Sequence, residues 1–172
     1  MSTIRATAQR LITYPPRGDS ALETSDPNKN PAPKVMEVAL RRVTSRFGVE
    51  GDYVINLPQG MEQRWAEALV RRLDEEHAHV VAPENEGMPV FHVIRVWVRV
   101  GSWAEVEILR PMTGLASQDG SMVYEPVTIR MSKSALQPWK IVSVRAWAGR
   151  ETEPPPLFGW PETEAALAAE EN

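Results

Sequence analysis

Apolar and polar residues alternate along Val90–Val100, which reads Val-Phe-His-Val-Ile-Arg-Val-Trp-Val-Arg-Val. Successive side chains on a strand point to opposite faces. The run therefore sorts into a core-like face, Val90, His92, Ile94, Val96, Val98 and Val100, and an amphipathic face, Phe91, Val93, Arg95, Trp97 and Arg99. Trp103–Arg110 answers it as the second arm of a hairpin. A three-residue connection, Val100–Ser102, sets Val98 opposite Ala104, Val96 opposite Val106 and Ile94 opposite Ile108. On the other face it sets Arg95 opposite Glu107 and Arg99 opposite Trp103. A two-residue turn would face valines with glutamates, so the longer loop is preferred. Pro111–Met122 reads as a loop containing Gly114 and Asp119-Gly120. Tyr124–Ser132 is a third strand, in which Pro126 calls for a bulge or an edge. Trp139–Ala148 is a fourth, with Val142, Val144 and Ala146 on one face and Ile141, Ser143, Arg145 and Trp147 on the other.

Helical spacing precedes the strands. Met36, Leu40, Val43 and Phe47 form one stripe along Lys34–Phe47, and Gly48 is a stop signal. Met61, Trp65, Leu69 and Leu73 recur every four residues along Met61–Ala78, with Trp65 mid-stripe and predicted to pack on the sheet. Tyr53–Leu57 and Ala78–Ala82 are short strands or extended links. Residues 1–33 are rich in proline and turn formers and read as a flexible segment, with Ile4–Ile12 able to form a helical turn. Residues 151–172 open on Pro154-Pro155-Pro156, which favours polyproline conformation, and end in an Ala/Glu-rich run that would fray alone. Between these pieces Leu157, Phe158 and Trp160 could dock on the body as a clip. The domain proper is then residues 34–150: two helices packed on a curved antiparallel sheet of about four strands, an α+β fold.

Charge sharpens this division. Residues 1–33 and 34–150 each carry a net +1, and residues 151–172 carry six acidic groups and no basic ones, which gives the chain its −4. A near-neutral body offers no broad attraction to nucleic acid or to an anionic membrane. With no cysteine among 172 residues, disulfides, thiolate metal sites and cysteine nucleophiles are excluded. No apolar run approaches the roughly 20 residues that span a bilayer. The N-terminus lacks a signal peptide's apolar stretch. The expected compartment is the cytoplasm for a full-length chain, and the envelope or exterior if a leader has been removed.

Candidate chemistry is sparse. His77-x-His79 lies beside Glu75, Glu76 and Glu84, residue types that bind divalent metals. Residues two apart on a helix diverge, however, so the favoured reading is a polar helix end, with no metal and no cofactor. His92 stands alone on an apolar strand face; with Tyr124 it is a candidate ligand-binding pair, against the plainer reading of a core histidine bonded to backbone. Arg95, Arg99, Arg130 and Arg145 alternate with Trp97, Trp103 and Trp147, a mixture that can stack single-stranded nucleic acid. Glu105 and Glu107 interrupt it, which favours charges paired across strands and tryptophans covered by arginine stems. No phosphate-cradling glycine loop, Gly-x-Ser-x-Gly elbow or His-Glu-x-x-His motif occurs.

The order helix, helix, long hairpin and two further strands resembles the NTF2-like superfamily. Gly101-Ser102-Trp103-Ala104-Glu105-Val106-Glu107 looks like its central hairpin, and Trp139-Lys140-Ile141-Val142-Ser143-Val144 is similar to its closing strand. The resemblance implies a sheet wrapped into a cone around helices, or a related two-layer sandwich. It spans enzymes and binding modules alike, and the aspartate–histidine pair of its enzymes is not evident. The preferred reading is a non-enzymatic module that contacts protein, as a homodimer or with another protein, through Arg95, Trp97, Arg99, Trp103, Arg145 and Trp147. The alternative is a small-molecule-binding or lyase- or isomerase-like enzyme with a pocket between helices and sheet, using His92 and Tyr124.

Overall fold

The computed structural model describes residues 25–99, 102–148 and 154–159. The expectations for Ile4–Ile12, Trp160 and the acidic run 162–171 lie outside them. In chain order the elements are α1 (Ala32–Arg46), β1 (Tyr53–Asn56), α2 (Gln63–Leu73), β2 (Ala78–Val80), β3 (Val90–Arg99), β4 (Trp103–Ala116), β5 (Met122–Ser132) and β6 (Lys140–Ala146). The fold is α+β. Its sheet has six strands, ordered β2-β1-β3-β4-β5-β6, rather than four. The four predicted strands form the antiparallel part, β3 to β6. The two short extended pieces join it in parallel: β1 lies between β2 and β3, and the β1–α2–β2 unit makes the crossover that parallel neighbours require.

α1 starts at Ala32, two residues before the predicted boundary, because Pro33 is tolerated in a first turn whose amide needs no partner. Its buried side includes Val35, Met36, Ala39, Leu40 and Val43, the predicted stripe. At Gly48 a Cβ would sit 2.6 Å from the Thr44 carbonyl oxygen, so glycine lets the chain turn away there. α2 is shorter than predicted. Asp74 leaves helical conformation, and its carboxylate accepts from the amides of Glu76 and His77 at 3.2 and 3.3 Å. A short acidic side chain that bonds the backbone locally competes with helix continuation. The buried face of α2 carries Ala66, Leu69 and Val70. Trp65 lies about 90° from the centre of that face at 100° per residue, and it is 40% exposed, so the expected core role is wrong. The helices are clamped by Glu37, buried on α1, which meets Arg72 of α2 at 3.0 Å and Arg41 at 3.3 Å. Burial pushes the Glu37 carboxyl up, but the Arg72 hydrogen bond and the nearby cations outweigh it and leave it below its ordinary value.

The hairpin register is as predicted from Arg99–Trp103 down to Arg95–Glu107. There the ladder slips: Val93, not Ile94, stands opposite Ile108, and His92 opposite Leu109. One extra residue in a strand moves every later side chain to the other face. Phe91 and Val93 consequently join Val96 on the helix-covered front of the sheet, and His92 faces the back; for Phe91, Val93 and His92 this reverses the predicted assignment. A second slip between Arg130 and Met131 acts likewise on β6. Ile141 and Val144 pack on the core, while Val142 is 57% exposed. β4 also runs on to Ala116, through half of the expected loop, and Asp119 closes the turn to β5 by accepting from Ser121 and Ser117. Pro126 sits inside β5 without a bulge. The β6 ladder ends at Val127–Ala146, so no partner strand on that side asks for the missing amide, and the Pro126 carbonyl accepts from Trp147 at 2.9 Å.

Candidate functional site

The back of the sheet carries all the predicted site residues, and it has two parts. In the first, β3, β4 and β5 line up complementary charges. Arg95 reaches Glu105 at 2.7 Å and its cross-strand neighbour Glu107 at 2.8 Å, and Glu105 also takes Arg130, its neighbour on β5, at 2.8 Å. Both glutamates are buried and Arg95 is nearly so. Beside this network the guanidinium of Arg99 lies 5.0 Å from the Trp97 ring centroid, and that of Arg145 lies 3.7 Å from Trp147. The Trp147 indole donates to Thr128 at 2.9 Å. The structure thus gathers Arg95, Trp97, Arg99, Trp103, Arg145 and Trp147 on one side. Glu105 and Arg130 tie Arg95 into a network, and Arg99 and Arg145 project from its margins, both exposed.

The second part lies under the C-terminal segment. Asn56 is the single polar side chain of β1, 1% exposed, and it reads main chain. Its Nδ2 donates to the Pro156 carbonyl at 3.0 Å, and its Oδ1 accepts from the Phe158 amide at 3.0 Å. Those two partners fix the orientation of the amide. The 3.0 Å contact from Nδ2 to His92 Nδ1 is then a bond that the imidazole accepts, which puts the ring hydrogen on Nε2. That Nε2 is buried without a partner among the described residues. His92 meets Tyr124 edge-on with centroids 5.0 Å apart, so the predicted pair does come together. Burial depresses the imidazole to a pKa of about 4 and raises the Tyr124 phenol. His92 is neutral at pH 7, a hydrogen-bond donor through Nε2 rather than a cation. It does not line a space between helices and sheet, because it faces away from the helices. A cavity of about 350 Å³ opens beside the C-terminal strap, residues 154–159, instead, bounded by Val54, Val90, Met88, Pro83 and Leu157, with Asn85 and Glu86.

His77 and His79 both converge on Asp52, and His77 Nε2 also lies 3.9 Å from Glu76. His77 Nδ1 is 3.2 Å and His79 Nε2 is 3.4 Å from the same Asp52 oxygen. The His77 hydrogen bond lowers the Asp52 carboxyl and the same bond raises the His77 imidazole, at an exposed corner of the sheet. Among the described residues no group of three or more such side chains is arranged to hold a metal ion, and no helix is long and apolar enough to cross a membrane.

Asn56, Glu105 and Thr128 escaped the sequence-based site. A lone asparagine in the otherwise apolar Tyr-Val-Ile-Asn was the available signal for the first. Glu105 and Thr128 required the register across β4 and β5. No family model matches the chain, and no curated protein or solved structure matches it.

Proposed function

We propose that this chain is a protein-contact module that works through the back of its sheet, with a second copy as its partner. The observation that carries the reading is the arginine-capped tryptophan patch, Trp97 with Arg99 and Trp147 with Arg145, set around a buried ionic network on a sheet whose edge strand β6 exposes Val142. Aromatic and arginine side chains are the residues that anchor protein interfaces. A rigid network beneath them holds them in place before binding, which lowers the ordering cost of association. The NTF2-like resemblance enters this proposal only for the antiparallel strands β3 to β6, since β1 and β2 run parallel. Sedimentation tests it. The wild type should form a dimer at tens of micromolar, roughly the range of a weak specific contact, and Trp97→Ala with Arg99→Ala should give a monomer with unchanged circular dichroism. A monomeric wild type overturns the dimer.

The second reading is a small-molecule site on His92 and Tyr124, favoured by the Nε2–H that has no described partner. Its ligand would present an acceptor to Nε2 and would need the strap to lift. Imidazole shifts of His92 in a ligand screen would separate it from the first reading, since the Trp97 variant would leave them unchanged.

A further inference from the structure

We propose that the cleft around Asn56 on the back of the sheet is a binding site for an extended, proline-rich segment of another protein, and that the chain's own residues 154–159 occupy it as a tethered competitor. The inference does not depend on whether the Trp97 patch dimerises.

The recognition is directed at main chain. Asn56 pairs with the carbonyl of Pro156 and the amide of Phe158, two residues apart, as an adjoining strand would. The neighbouring prolines stiffen the segment in an extended form, which reduces the entropy lost on docking. Nothing in these two bonds requires that the segment belong to the same chain.

The fit in cis is incomplete. Leu157 lines the cavity of about 350 Å³ yet is 53% exposed. That volume lies at the small end of ligand pockets, which run from about 300 Å³; its walls are mainly apolar, with Val54, Val90, Met88 and Pro83, and Asn85 and Glu86 add polar groups at one side. A bulkier apolar side chain at the same place would fill what leucine leaves open. The better occupant is therefore a segment with an aromatic residue after its prolines.

The tether argues against a second copy as that occupant. Ala146 pairs with β5, and Pro156 bonds to Asn56 on β1. These points are four strand spacings apart, about 19 Å. The ten residue steps between Ala146 and Pro156 can span at most about 33–36 Å. That reach exceeds the separation, so exchanging straps between copies gains no contact. An outside peptide competes with a high local concentration of the strap, so its apparent affinity is reduced by the fraction of open clefts.

The test uses the full chain and a fluorescein-labelled peptide of residues 153–159 carrying Leu157→Trp, followed by anisotropy. Saturable binding is expected, about tenfold tighter to a full chain carrying Phe158→Pro, which removes the strap's amide donor and frees the cleft. The unsubstituted peptide should bind more weakly than the tryptophan peptide. Methylating the peptide nitrogen that corresponds to Phe158 should cost about tenfold, with no change to the protein that could disturb its fold. Absence of saturation with both chains at about 1 mM, weaker than any specific contact invoked here, overturns the proposal, as does indifference to N-methylation. A wild-type dimer that Phe158→Pro dissociates would make a second copy the occupant and overturn the assignment to another protein.

Discussion

On the front of the sheet Phe91, Val96, Val106, Ile108 and Ile129 are fully buried against α1 and α2. On the back, at neighbouring positions of the same strands, Arg95, Glu105 and Glu107 are hidden almost as well, yet they bury charge, and Thr128 buries a hydroxyl beside them. The front is stabilised by apolar area, non-directional and tolerant of its neighbour's identity. The back depends on geometry: each carboxylate removed from water must be met by a guanidinium at hydrogen-bond distance, or the desolvation cost is uncompensated. One face contributes apolar burial, and the other holds a fixed pattern of aromatic and cationic groups.

Substitution should separate the two faces. Phe91→Ala on the front removes a fully buried ring that stacks edge-on with Tyr53 at 5.4 Å. It should cost about 3–5 kcal/mol, read as a lower denaturant midpoint with binding surfaces intact. Glu105→Ala on the back removes the group that joins Arg95 to Arg130. Breaking a buried pair costs about 3–5 kcal/mol, but Arg130 is half exposed and can return to water, so about 2–4 kcal/mol is expected. This variant should also loosen the Trp97 patch and weaken the proposed dimer, which Phe91→Ala should not. If both variants affect only stability, the division of labour between the faces is wrong.

The stripe of α1 and the Arg/Trp half of the back face were legible in the sequence, whereas the faces beyond the bulges and the strapped half of the back were not, for a physical reason. Helical stripes and the Val/Ile alternation report burial against an apolar layer, so α1, the hairpin and its register from Arg95 to Arg99 follow from residue order alone. Bulges leave no such local mark. The extra residue near Ile94 moved His92 from front to back, and the one near Val142 put Ile141 on the core side with Val144 and left Val142 exposed. Volume offered a hint: the observed faces bury Phe91 and Val93 on the core side and leave the imidazole to the polar side. The strap's docking on Asn56 joins residues about a hundred apart in sequence, a distance that periodicity cannot bridge.

The strapped end of the back face should be sensitive to acid. His92 has a pKa of about 4 in the fold, below the ordinary 6.5, because of burial. The unfolded chain therefore takes up its proton first as pH falls. The stabilisation is complete above about pH 6.5 and is lost between there and about pH 4. From pH 7 to pH 5 the loss from this group is about 2 kcal/mol. His77, raised by Asp52, works with the opposite sign and loses its contribution as pH rises. The measurement that isolates His92 is the difference between wild type and His92→Leu across that window. A difference independent of pH would mean that the imidazole is not held neutral.

The smallest effect should come from the tryptophan that sequence periodicity placed in the core. Trp65 lies on the flank of α2 at 40% exposure, with the Arg64 guanidinium 5.4 Å from its ring centroid. Leu69 and Ala66, fully buried beside it, carry the helix's apolar contact with the core. Truncating Trp65 opens no enclosed cavity, removes a solvated cation–ring contact and replaces a moderate helix former with the best one. Trp65→Ala should therefore cost under about 1 kcal/mol, against about 3–5 kcal/mol for a tryptophan in a packed interior. A loss in the larger range, measured by urea denaturation, would rotate α2 by about a quarter turn and put its stripe back on the four-residue spacing of Met61, Trp65, Leu69 and Leu73.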